Sequence, residues 1–264
     1  MVFDSMSLWL AASLLVMAPT ALAMLCTYLI RRYVGLERLS ANNEVAGFTF
    51  ATVGVLYAVL LAFAVIVVWE KFSDAEDHVA LEAGAAATLY RLALGIEGEP
   101  GVALRAKLSA YLESAVTQDW PAMEKGKPSP QTTRAVADLY AVTLTYKPTD
   151  FRGAMLLEET LRQLNTLTEA RRARVVKAAG IVPGVLWFVL FGGALLTVGF
   201  TFFFGNANLR AQSLMTGALS LLIFSGLLVI LTIDQPFAGA VKVHPEALVD
   251  VLGELGGVRL PARH

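Results

Sequence analysis

Val45-Ala-Gly-Phe-Thr-Phe-Ala-Thr-Val-Gly-Val-Leu-Tyr-Ala-Val-Leu-Leu-Ala-Phe-Ala-Val-Ile-Val-Val-Trp69 holds no charge and is bounded by Glu44 and Glu70. Crossing hydrocarbon as a helix takes about 20 apolar residues. Three further stretches meet that length: residues 5–30, 178–209 and 211–233. The sequence therefore predicts an all-α membrane protein with four transmembrane helices. Of the 21 basic and 22 acidic residues, 14 and 15 lie between residues 70 and 177. That segregation predicts a polar insert between the second and third spans. The expected parts are a first transmembrane pair (5–69), a helical polar stalk (70–177), a second pair (178–234) and a tail (235–264). A hydrophobic content of 56% with 16% charged residues excludes a disordered chain and a basic nucleic-acid binder.

Ala21-Leu22-Ala23 resembles a signal-peptide cleavage site, but no basic residue precedes it and the apolar run continues to Ile30. The first span is thus expected to be retained. Cys26 is the single cysteine and reads as packing. Four spans place both termini and the insert on one side. Lys71, Arg162, Arg171, Arg172, Arg174, Lys177 and Lys242 lie on that side, against Arg31, Arg32, Arg38 and Arg210 in the short connections. The excess predicts a cytoplasmic insert and cytoplasmic termini, in a multi-pass protein of the bacterial inner membrane.

The insert reads as helical. From Glu70 to Arg91 there is no Pro and one Gly, so the second span is expected to continue as a helix to about Leu94. Further helices fit residues 101–119, 131–144 and 151–177, the last running on towards the third span, with a Pro-rich turn at 125–130 as the tip of the stalk. Residues after Pro245 place Leu248, Val251, Leu252 and Leu255 on one face of a short amphipathic helix.

Gly54-Val-Leu-Tyr-Ala-Val-Leu-Leu-Ala-Phe63, through Trp69-Glu70 to Ala75 and Glu82-Ala83, resembles the signature of the bacterial bestrophin-like membrane proteins, a family named as a domain of unknown function. Asp234-Gln-Pro-Phe-Ala-Gly239 and His244-Pro-Glu-Ala-Leu248 resemble its C-terminal signature. The resemblance implies an architecture like that of bestrophins, which are oligomeric anion channels with a second-span pore and cytosolic helices. It implies a homo-oligomer, a pentamer by analogy. No residue here is assigned to the aromatic neck or the acidic calcium clasp of bestrophins.

His78, His244 and His264 are far apart, and no phosphate loop, paired cysteines or His-Glu-x-x-His occurs. An enzyme is therefore not expected, nor a cofactor. The spans hold no titratable carboxylate, which argues against a coupled carrier but not against a channel. Gly47, Ala51, Gly54, Ala58 and Ala62 form a small face on the second span, read first as helix packing and second as pore lining. Thr49, Thr52 and Tyr57 supply its polar groups, and Tyr57, Leu61 and Val65 are candidates to ring an axis. Glu70, Asp74 and Asp77 share a face just beyond the span. Read alone they are a solvated stalk. Repeated around an axis they form an acidic ring that attracts cations and would ligate a divalent ion. Asp234 reads as a cap for the exit turn around Pro236 or a partner for a basic residue at the third span's entry. The leading expectation is a homo-oligomeric ion channel among membrane lipids, with the second span lining the pore and cations preferred. The alternatives are a membrane-anchored interaction or sensory scaffold, or a bestrophin-like anion channel.

Overall fold

In the computed structural model, residues 10, 12–41, 43–180, 182–239 and 241–256 are described; the outer parts of the predicted first span and tail lie outside them. The described residues are helical, without strands. They form two compact units, one of Met1–Glu70 with Ile181–Asp234, the other of Lys71–Gly180 with Gln235–His264.

Among the described residues four helices are long and apolar enough to cross a membrane. The first, α1 (Ser13–Val34), opens with a π-wound turn and stops at Gly35, whose φ of 76° turns the chain into the short α2 (Leu36–Ser40). The second, α3 (Asn43–Gly95), is one helix of 53 residues. With α4 (Glu99–Ser114), α5 (Trp120–Met123), α6 (Pro130–Thr145) and α7 (Phe151–Lys177) following, the apolar series resumes at α8 (Gly184–Phe203) and α9 (Leu209–Ile233).

In the membrane-type unit α1 runs antiparallel to α9. The Thr20 hydroxyl donates to Ser220 at 3.4 Å, and the missing side chain of Gly217 admits Met24. α3 packs on α8 through Tyr57, whose hydroxyl donates to the Leu190 carbonyl at 3.0 Å while its ring lies over Gly193. Leu61 fills the space left by Gly226 of α9. The start of α3 is clamped to the α8–α9 loop. Asn43 Nδ2 donates to the Gly205 carbonyl, and Gly205 N–H donates back to Asn43 Oδ1, both at 2.9 Å.

In the polar unit the chain runs as an antiparallel bundle. The far part of α3 buries Val79, Ala83, Ala86 and Leu89. These meet a core of Leu104, Leu108 and Leu112 from α4, Leu139 from α6, and Leu164 and Leu167 from α7. A π-helical turn, Ala115–Asp119, joins α4 to α5. Ser129 caps α6 by accepting from Gln131 and Thr132 N–H, and Asp150 caps α7 through Gly153 N–H. The tail adds α10 (Glu246–Gly256), which carries the predicted amphipathic residues and packs beside α4 with Leu248 buried.

Three local expectations need correction. α7 does not run on into the third span, because Gly180 adopts φ 85° and Pro183, just ahead of α8, has no N–H to continue a helix. The Pro-rich turn is not the tip of a stalk: Gly126 lies against Ala178 and Ala179, at the end of α7. Within this unit the turns at residues 96–98 and 146–150 lie together at the opposite end of the bundle from Gly126, and Ser129 is buried. Asp234 does not cap the exit turn alone, since its Oδ1 accepts from Val182 N–H ahead of α8 at 2.8 Å.

Gly193→Val should drive a methyl into the Tyr57 ring and cost about 1–3 kcal/mol, as overpacking does. Gly192→Val enters open space and should leave stability unchanged. Thermal unfolding of the purified full chain compares the two; equal melting temperatures would refute the α3–α8 packing.

Candidate pore helix and a buried ion network

α3 is the most apolar of the four long helices and the least covered by its own chain. In its most apolar window 11% of residues are buried, against 22–39% in the others. One face turns inward through Tyr57 and Val68, with Phe50, Gly54, Leu61 and Ala64 half-buried beside them. The opposite face exposes Thr52, Val59, Phe63, Ile66 and Glu70. An apolar groove of about 480 Å³ runs between α3 and α8, bordered by Val59, Phe63, Leu186 and Leu190.

The residues singled out in the sequence separate accordingly. Thr49, Thr52 and Ala58 are exposed. The two threonine hydroxyls donate to the carbonyls of Val45 and Phe48, one turn back, so neither needs an outside partner. Gly54 is half-buried, with open space where a side chain would stand. The axis-facing set Tyr57, Leu61 and Val65 is not a common outward stripe. Tyr57 is buried and bonded to Leu190, Leu61 is seated against Gly226, and Val65 is half-buried. The physical reason is that a tyrosine in an apolar helix settles where a carbonyl can take its hydroxyl proton.

Glu70, Asp74 and Asp77 are exposed on α3. Lys177 Nζ donates to Asp74 Oδ2 at 2.9 Å. That hydrogen bond, and then the ammonium charge, hold the Asp74 carboxyl below its usual range. The pair is therefore fully formed above the ordinary carboxylate pKa and is lost only as pH falls through the lowered value. Among the described residues no three His, Cys, Asp or Glu side chains converge to hold a metal ion.

The polar unit holds an ion network that sequence reasoning missed. Arg174 is completely buried and forks onto Glu82, Nε to Oε2 at 2.7 Å and Nη2 to Oε1 at 2.9 Å. Tyr111 donates to the same Glu82 Oε1 at 2.6 Å. Asp119, presented by the π-helical turn, accepts from Arg174 at 3.3 Å, from Arg171 at 2.7 and 3.0 Å, and from Ser129 N–H at 2.9 Å. The Arg174 guanidinium lies 4.3 Å from the centre of the Trp120 ring, which in turn donates to the Val243 carbonyl and meets Phe237 edge-on. Two carboxylates and two guanidinia balance. Burial, the largest single influence, would lower the Arg174 pKa, but Glu82, Tyr111 and Asp119 together outweigh it and the net shift is upward. Burial, then Glu82, pushes the Tyr111 hydroxyl well above its usual value. The signal was present: Glu82 lies between Val79 and Leu89 on an apolar face of α3, and Arg174 continues the Leu164–Leu167 stripe of α7.

A family model described as the Bestrophin-like domain matches residues 17–248. No curated protein matches the chain. Its fold is similar to solved structures of a bacterial bestrophin homologue from Klebsiella pneumoniae. A point mutant of that protein aligns with a TM-score of 0.71 at 14% identity, over 90% of this chain and 97% of the other. A second structure of it, phased with zinc, gives 0.69 at 14%, over 91% and 98%. At such identity the likeness speaks for the fold.

Arg174→Met should strand Glu82 and part of Asp119 without their cation and cost about 3–5 kcal/mol. Adding Glu82→Gln should restore part of that loss. Chemical unfolding of the full chain, followed by tryptophan fluorescence, reads both; a loss under about 1 kcal/mol would show that the pair carries little.

Proposed function

The chain belongs to the bestrophin-like family, and from that premise we propose that it forms a homo-oligomeric ion channel of the bacterial inner membrane with α3 lining the pore. The observation that carries the reading is the pairing of greatest apolarity with least cover on α3. A helix with Tyr57, Leu61 and Val68 turned to its own chain and Thr52, Val59, Phe63 and Ile66 turned out presents an apolar wall. Around an axis, such a wall makes a constriction that gates by dewetting.

We assign the cytoplasmic mouth of that pore a cation preference. Glu70 and Asp77 are exposed, and each recurs once per subunit. Asp74 contributes less because Lys177 already neutralises it. The resulting potential concentrates cations and is screened over about 10 Å at 0.1 M salt. The insert and both termini are assigned to the cytoplasm from the Lys/Arg count. An anion channel is the second reading, favoured by Lys71 and Lys177 flanking the acidic face.

In planar bilayers with a KCl gradient, the wild type should show a cation-selective reversal potential. Glu70→Gln, Asp74→Asn and Asp77→Asn together should reduce that selectivity, most at low salt. An anion-selective wild type, or one indifferent to the triple change, sinks the acidic-ring mechanism. Absence of any conductance sinks the channel itself.

Orientation is tested by Lys127→Cys, since Lys127 is exposed whereas Ser129 is not. In cells whose Cys26 is replaced by Ser, that thiol should resist an impermeant maleimide until the membrane is opened. Rapid labelling of intact cells would reverse the orientation.

A further inference from the structure

Arg31 carries the one buried side-chain donor that has no acceptor among the described residues, its Nη1. A buried guanidinium nitrogen left without a partner is costly, because hydrogen bonds to charged groups are the strong ones. The side chain as a whole is half-buried, so its long stem can bring the head to the surface of the unit. Its other guanidinium nitrogens are not enclosed and donate to no described residue, so an acceptor brought by another molecule can meet them.

The helix register says what surrounds it. Thr20 meets Ser220 and Met24 meets Gly217 across the antiparallel α1–α9 pair. Continuing that register two turns along α1 sets Arg31 opposite Leu209 and Arg210, the first residues of α9. Among the described residues no carboxylate pairs with Arg31; Arg32 follows on α1, and Arg210 is exposed. The N–H groups of Arg210 and Ala211 are already taken by the Asn208 side chain, so the corner is cationic through its arginines. Its level is set by α1 itself. The apolar run ends at Ile30, and Tyr28 and Tyr33 are 48% and 83% exposed. Tyrosines flanking the end of a span mark the plane of the lipid headgroups.

We propose that Arg31 binds a phosphate group, delivered by the headgroup of an anionic phospholipid at the end of α1 and α9. The oxyanion matches the guanidinium fork and accepts two parallel hydrogen bonds. Acyl chains from the same molecule would lie against the exposed Leu22, Leu25 and Leu29. This also accounts for basic residues in short connections that oppose the orientation count. Nothing in the site depends on whether α3 conducts.

Native mass spectrometry of the detergent-purified full chain tests it, with phosphatidylglycerol added and inorganic phosphate as competitor. The wild type should retain one phosphatidylglycerol per subunit. Arg31→Gln should bind it at least tenfold more weakly, and Arg31→Lys should fall between, because an ammonium cannot span two oxygens. Arg32→Gln removes the same charge from the neighbouring position and should stay within twofold of the wild type. Should Arg31→Gln fail to fold, the weakened binding of Arg31→Lys decides. Displacement of the lipid by inorganic phosphate at equal concentration would uphold the phosphate chemistry and make free phosphate its source. Equal binding by wild type and Arg31→Gln overturns the proposal, as does equal weakening by Arg32→Gln. Dissociation of the oligomer by Arg31→Gln with the lipid count unchanged also overturns it, and would assign the acceptor to a carboxylate of a second copy.

Discussion

The polar unit depends on how Arg174 is held. A guanidinium with no exposure survives only if both edges of its fork and its flat face are occupied, since desolvating a charge costs several kcal/mol before any pairing. Glu82 takes one edge, Asp119 and Met123 take the rest, and Trp120 covers the face. Those partners come from α3, the π-helical turn, and α5, while Arg171 on the same α7 returns to Asp119. The pairing thus fixes which helices meet and in what register. An apolar core of leucines and alanines would leave that register loose. The π turn serves the same end. By inserting one residue into the helix it re-aims the Asp119 carboxylate, which an unbroken α4 would carry elsewhere.

α3 must satisfy two solvents with one backbone. Over residues 45–69 its hydroxyls fold back on their own helix, as Thr49 and Thr52 do, and its one phenol finds a carbonyl on α8. Beyond Glu70 the outer face becomes acidic while the inner face turns to alanine and leucine. The chain passes between the units three times, at residues 70–71, 180–181 and 234–235. The first passage is helical and the other two are not. Those two are stapled together by Asp234 accepting from Val182 N–H. A carboxylate is suited to that place, because a chain leaving helix beside Pro183 has N–H groups that no helix satisfies.

Much of this was legible. The charge-free runs marked the spans, the Gly- and Pro-poor alanine run after Glu70 marked the extension of α3, and Leu248, Val251, Leu252 and Leu255 marked α10. What was not legible had a common cause. Hydropathy registers side chains and is blind to backbone, so the run from 178 to 209 read as one span although Gly180 and Pro183 interrupt it. Arg174 was read with its basic neighbours as an orientation signal and Glu82 only as part of a signature, so their pairing was not foreseen although both lie on apolar stripes. A face assigned by spacing alone has no sign, so Tyr57 was placed towards an axis when its hydroxyl turns it to Leu190. A titratable or phenolic residue on an apolar stripe is better read as a statement about its partner.

The ion pairs bear on the orientation argument as well. Of the insert-side cations, Arg171, Arg174, Lys177 and Lys242 end in salt bridges with Asp119, Glu82, Asp74 and Glu124. These pairs do not weaken the Lys/Arg excess behind the proposed orientation, because orientation is decided while the spans insert, before the bundle folds, and acidic residues weigh little in it. In the proposed orientation, unpaired arginines near the third span are what would hold the emerging chain on the cytoplasmic side at that moment. Folding then buries two of them against carboxylates that arrived earlier on α3 and the π turn. The same guanidinia can act twice, first as free charges setting topology and then as buried ones setting register.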